Sequence, residues 1–143
     1  MTRAIALALA VLGLAGGCFG GSSGVDRDEY VDANRAILDQ LPRFPGLEPL
    51  EELSAAYRVE ENGPIVGYGT VIVVKVPNDA GPGDVLAYYR KHLASEWELT
   101  ETLDGPVLNY RRGDASASIN LESWRGGEME IAVDHRYFAN RHF

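Results

Sequence analysis

The side chains able to do chemistry are few and scattered in this 143-residue chain. His92, His135 and His142 form no H-x-x-x-H or H-E-x-x-H spacing, and Cys18 is the only cysteine, so the ligand pattern of a zinc site is missing. No metal and no cofactor is expected. No G-x-S-x-G elbow presents a nucleophilic serine. Gly67-x-Gly69 and Gly126-Gly127 lack the strand–loop–helix setting of a phosphate cradle. Asp134 and His135 are adjacent, but neighbours on a strand point to opposite faces, which predicts Asp134 in water and His135 at the edge of the core. Glu128 and Glu130 share a strand face, with Glu122 across from them. Such carboxylates are the residue types of glycoside hydrolysis, yet a chain with 24% charged residues brings acids together by chance. No catalytic residue is assigned.

One surface combination points to recognition instead. The pattern puts Trp124 at the end of a strand, on its polar face and beside Arg125. Arg111 and Arg136 are placed on that same face. Tryptophan flanked by arginine is enriched at binding surfaces, so Trp124, Arg111 and Arg136 are the candidate binding residues. The plainer alternative is that Trp124 covers the sheet edge.

The start of the chain differs in kind from the rest. Arg3 precedes an unbroken small and apolar run from Ala4 to Leu14, and Ala15-Gly16-Gly17 leads into Cys18. A positive residue, a short apolar stretch and a small-residue cleavage site make a secretory signal peptide over residues 1–17. The run is too short to span a bilayer, which takes about 20 residues. An unpaired cysteine in an exported protein needs an explanation. Leu14-Ala15-Gly16-Gly17-Cys18 resembles the lipobox of bacterial lipoproteins, departing from it at Ala15, where a branched residue is usual. The resemblance implies a diacylglyceryl thioether on Cys18 and cleavage just before it. Phe19-Gly20-Gly21-Ser22-Ser23-Gly24 then supplies a flexible tether over residues 18–25. Two acyl chains would hold such a domain on a membrane, where one gives only marginal binding.

Without its first seventeen residues the chain has 126 left, enough for one domain over residues 26–143. Losing Arg3 leaves twelve basic against twenty-one acidic side chains, a net charge of −9. That balance excludes general electrostatic binding to nucleic acid or to an anionic lipid surface, so attachment must come from the lipid.

The elements follow from periodicity. Asp26 to Leu41 predicts a helix, opened by the capping spacing of Asp26 and Glu29 and carrying the stripe Tyr30, Ala33, Ile37 and Leu41. Pro42 stops it, and Phe44 fixes the connector that follows. Leu53 to Glu60 and Ile65 to Val76 read as strands, the second apolar on both faces and therefore central. Asp84 is expected to cap a second helix to about Ala94, with Val85, Tyr88, Tyr89, His92 and Leu93 inward and Arg90 and Lys91 in water. Trp97 to Leu103, Val107 to Arg112, Ala115 to Trp124 and Glu128 to Tyr137 form an antiparallel meander with glycine-containing turns.

The order α-β-β-α-β-β-β-β implies an α+β two-layer sandwich, an antiparallel sheet with both helices on one face. From Gly67-Tyr68-Gly69-Thr70 through Tyr88-Tyr89-Arg90 to Trp97 the chain resembles small envelope lipoproteins of actinobacterial type. That resemblance speaks to fold and location and implies no activity. The expectation is a lipid-anchored domain on the extracytoplasmic face of the cell membrane. It would bind an envelope protein, glycan or small ligand through the open sheet face. The competing class is a cell-surface hydrolase acting through carboxylates or His135.

Overall fold

The computed structural model describes residues 26–58, 60–101, 106–122, 124 and 127–135. The element order is that expected: α1 (Arg27–Gln40), β1 (Glu48–Arg58), β2 (Ile65–Lys75), α2 (Pro82–Leu93), β3 (Glu98–Glu101), β4 (Val107–Arg112), β5 (Ala115–Asn120) and β6 (Glu128–Asp134). The Asp26 carboxylate caps α1 by accepting the Asp28 amide at 2.9 Å, and Asp28 and Glu29 complement the positive end of the helix. The buried face of α1 is Tyr30, Val31, Asn34, Ile37 and Leu38. It is turned from the expected stripe because a polar residue, Asn34, sits at its centre. The second helix begins at Pro82, with Gly81 as its N-cap. Asp84 is its third residue, not its cap, and reaches back to accept the Gly81 amide at 2.8 Å. Proline, with no amide hydrogen to satisfy, suits the first helical position.

The six strands among the described residues all pair antiparallel, in the order β1-β2-β6-β5-β4-β3. The chain therefore makes a hairpin, β1–β2, and a meander, β3 to β6, and joins them by pairing β2 with β6. That gives β2 neighbours on both sides, as its apolar faces required, and Val71, Val73 and Val74 are buried. At Gly69 the ring of Tyr57 lies over the backbone, so a Cβ there would collide with the Tyr57 hydroxyl.

One core lies between sheet and helices. Ile37, Leu38 and Leu41 from α1 and its end join Val85, Tyr89 and Leu93 from α2. Across from them stand Val74, Leu108, Ile119, Met129 and Ile131 from four strands. Both helices thus cover one face, and the molecule is an α+β sandwich. Trp97 is buried in this core, with the Arg112 guanidinium 4.5 Å over its ring. Arg112 also donates to Glu96 at 3.2 Å and to Gln40 at 2.8 Å, tying the end of α1 to the turn after α2. Phe44 packs edge-on to Tyr88 at 5.3 Å, and the Tyr88 hydroxyl donates to the Arg43 carbonyl at 2.8 Å. The connector after α1 is held as expected.

Candidate functional site

Several expected site residues fall outside the described residues: Cys18 with the whole segment 1–25, and Arg136. Of the candidate binding trio, Arg111 lies on the sheet face away from the helices, where its Nε donates to the Gly113 carbonyl at 3.0 Å. Trp124 does not share that face. It is half-buried and packs against the core beneath the helices. The β5 strand ends at Asn120, so alternation no longer dictates where Trp124 points. The structure therefore separates Trp124 from Arg111.

Of the acid and base candidates, Glu130 and Glu122 lie close enough for their charges to interact, while His135 stands apart from both. Along β6, Met129, Ile131 and Val133 face the helices, while Glu130 and Asp134 face the other way. Glu130 is buried beside Asn120, whose Nδ2 reaches its carboxylate at 3.4 Å. Burial pushes its pKa above the usual carboxylate range, and the charge of Glu122 adds to that. Asp134 is also buried, at 4% exposure, and not in water as its sequence context suggested. It sits on an interior strand opposite Ser116, flanked by β2 and β5. His135 turns back toward α1 at the core's edge. Its amide donates to Asn34 Oδ1 at 2.9 Å, its Nδ1 lies 3.4 Å from the same oxygen, and its ring meets Tyr30 at 4.6 Å. Glu130 and His135 thus serve opposite faces of the sheet. His92, expected on the buried stripe, is exposed and lies against the Tyr88 ring at 4.2 Å.

Among the described residues, a concave feature lies elsewhere, between α1 and the edge strand β1. Helix α1 packs on β2 and β6, and no residue of β1 is fully buried. Toward the C-terminal half of α1 the resulting groove is an apolar cleft of about 230 Å³. Ile72, Val74 and Ile131 floor it, and Leu38, Leu41 and Leu47 wall it. Toward the N-terminal half it becomes a polar compartment of about 360 Å³ holding Arg27, Asp28, Asp32, Arg35, Glu52 and Ser54. Arg35 and Glu52 line both parts, and their ion pair, 2.8 Å from Nε to Oε1, marks the boundary. The Glu52 hydrogen bond and charge raise the pKa of Arg35, so this guanidinium stays charged. A second pair, Arg43 with Asp39 at 3.3 Å, stands on the rim of the apolar part.

The groove is polar with both signs of charge at one end and aliphatic at the other. Such an arrangement can hold and orient an amphipathic molecule, but it brings no nucleophile next to a base. The sequence carried little signal for it, since Arg35 and Glu52 are seventeen positions apart and the apolar lining has the composition of any core. No protein-family model matches the chain, and no curated protein or solved structure is detectably similar to it.

Proposed function

We propose that the chain is an exported envelope domain, held on the outer face of a membrane by a lipid on Cys18, that works by binding a ligand in the α1–β1 groove. The observation that carries the binding half of this reading is the groove itself, a preformed apolar cleft opening into a compartment of mixed charge. Binding sites are commonly concave and mostly apolar, with a few placed polar groups. The anchoring half rests on the signal pattern and lone cysteine at the start of the chain. Seven residues separate Cys18 from the Asp26 cap, and the eight steps between them reach under roughly 29 Å when fully extended. A lipid at Cys18 would therefore keep α1 and its groove close to the bilayer surface.

The competing hydrolase reading draws on Glu130, whose raised pKa suits a general acid. It is weakened by the placement of His135 on the opposite face and by the hydrogen bonds that tie His135 to Asn34.

Two measurements on protein purified from its host's membranes test the proposal. Intact mass should show a chain beginning at Cys18 and heavier by a diacylglyceryl group, and Cys18→Ala should lose both that mass and membrane retention. Solvent extraction of the wild type should release a small molecule that is absent from Leu47→Trp, in which the indole fills the cleft. An unmodified soluble wild type defeats the anchor. Equal extracts from the two proteins defeat the groove as the site.

A further inference from the structure

We propose that the outer edge of β1 seats a second copy of this chain, the two β1 strands pairing antiparallel about a dyad at Ala55. The amides and carbonyls along an edge strand are a template for a further strand unless charge, proline, bulges or shortness blunt it. The two edges of this sheet differ in that respect. The β3 edge is four residues long, is interrupted by a register shift after Leu99 and carries Glu98 and Glu101. The first part of β1 is blunted as well, by Glu48, Pro49, Glu51 and Glu52 and by a register break at the exposed Leu50. From Leu53 to Tyr57 that protection stops. Ser54, Ala55 and Ala56 are small and uncharged. The Ser54 hydroxyl meets Thr70 at 3.1 Å and the Tyr57 ring lies over Gly69, so both lean toward β2 and leave the outer side clear. Among the described residues no strand pairs with β1 on that side.

The order of residues along β1 suits its own copy. A two-fold contact is self-complementary, each residue meeting its counterpart twice. A parallel pairing would set Glu48, Glu51 and Glu52 beside their copies at about 4.8 Å, where like charges repel. The antiparallel dyad sends the two acidic halves to opposite ends. At about 3.3 Å per residue Glu51 then stands roughly 26 Å from its copy, beyond the screening length of about 8 Å in physiological salt. Ala55 meets Ala55, Ser54 meets Ala56, Leu53 meets Tyr57, and Arg58 comes opposite Glu52. Arg58 donates to the Gly63 carbonyl but has no acidic partner among the described residues. Glu52 meets Arg35 through Oε1, and its other oxygen is free to accept from Arg58 of the second copy. Pairing over Glu52 to Arg58 exchanges about six to eight backbone hydrogen bonds. The two sheets become one with the helices of both copies on the same side. The α1–β1 grooves then open onto each other, with Ser54 of each copy between them.

The test is cysteine cross-linking of the full chain in its host's membranes, with the mass of the product as the readout. Across the dyad the two Ala55 Cα atoms lie about 4.5–5.5 Å apart, a distance a disulfide spans. Oxidised Ala55→Cys should yield a covalent dimer of twice the chain mass, above the background set by wild type, which has Cys18 alone. Leu53→Cys, whose copies stand about 13 Å apart, should stay at background and become dimeric only when combined with Tyr57→Cys. Equilibrium sedimentation of the unsubstituted protein in density-matched detergent should show monomer and dimer in exchange. Ala55→Lys, checked for folding by thermal unfolding, should weaken the dimer several-fold, because two like charges then face each other at the dyad. Thr100→Lys on the opposite edge should leave it unchanged. Equal cross-linking at positions 53 and 55 signals chance collision and overturns the proposal. A cross-linked product of any other mass gives the edge to a foreign strand and overturns self-pairing. A sedimenting monomer at every concentration does the same.

Discussion

Asn34 is a fully buried polar side chain on the inner face of α1, and the fold should depend on it more than on any apolar neighbour of its size. Its Nδ2 donates to the Tyr68 carbonyl at 2.8 Å and to the Thr70 hydroxyl at 3.2 Å, while Oδ1 accepts the His135 amide at 2.9 Å. One side chain thus ties α1 to β2 and to the end of β6. In Asn34→Ala the bond to the Tyr68 carbonyl disappears, at about 1 kcal/mol net, and the half-buried His135 amide is left without this acceptor, at about 1–3 kcal/mol. The Thr70 hydroxyl keeps Ser54 at 3.1 Å and adds little. The sum is about 2–4 kcal/mol, a large share of the 5–15 kcal/mol typical of a domain. Urea unfolding followed by tryptophan fluorescence reads it directly, and the melting temperature should fall by at least about 8 °C. His135→Ala is the control, because it keeps the amide that Asn34 accepts. It loses the edge contact with Tyr30, worth about 1 kcal/mol. If Asn34→Ala costs under about 1 kcal/mol, or no more than His135→Ala, the claim that this asparagine joins helix to sheet is wrong.

The Tyr110 hydroxyl is buried with no hydrogen-bond partner among the described residues, so Tyr110→Phe should leave stability unchanged or raise it by up to about 1 kcal/mol in the same urea assay. Gly69→Ala should destabilise by more than about 1 kcal/mol through the clash with Tyr57, and Tyr57→Ala in the same chain should recover part of the loss, which a double-mutant cycle will show. Glu130 has a folded-state pKa above its unfolded one. The folded state then binds its proton more tightly, and stability from this group is present below the ordinary carboxylate pKa and lost as pH rises through the raised value. Glu130→Gln should therefore be more stable than wild type at pH 7, with the gap closing at pH 4. An unchanging gap would dismiss titration as its cause. Arg112→Ala should cost about 1–2 kcal/mol, since it removes the Trp97 contact and the bonds to Glu96 and Gln40 together. Arg112→Lys should recover little of it.

Where periodicity was strong, the sequence specified the element closely. The Val107–Arg112 strand matches its expected limits, and the two apolar faces of β2 foretold its interior position. The errors cluster where one residue type can serve two purposes. Asp84 has the chemistry of a cap, but Pro82 can open a helix and Asp84 works equally well as the third residue reaching back. Leu53 looked like a strand start because Glu48 to Glu52 is acidic and contains a proline. Pairing to Lys75 and Val74 nonetheless extends β1 to Glu48, as an edge strand tolerates proline and charge. Asp134 looked solvated because alternation gives a face and not its burial. Whether a face is wet depends on neighbouring strands, and the pairing of β6 with β2 links residues about sixty positions apart.

The groove was illegible for a deeper reason. Residue types advertise what they do, and a cleft is made by what is missing. Six strands at about 4.8 Å spacing place the outer two roughly 24 Å apart. Two helices of about 10–12 Å diameter cover some 20–24 Å between them, and α1 sits over β2 and β6, not over the edge. That leaves little helical surface to spare, and β1 is the margin that remains uncovered. The connector from Pro42 to Leu47 then decides the shape of the gap, for Phe44 is pinned on Tyr88 and Leu47 is left beside Ile72 without filling the space. None of this is written in the identity of Leu38, Ile72 or Ile131, each of which would be equally at home in a closed core. A bulkier residue at position 47 would erase the groove with no motif lost. The site is best found by counting the helical surface available against the sheet it must cover, and the uncovered margin tells where a ligand can enter.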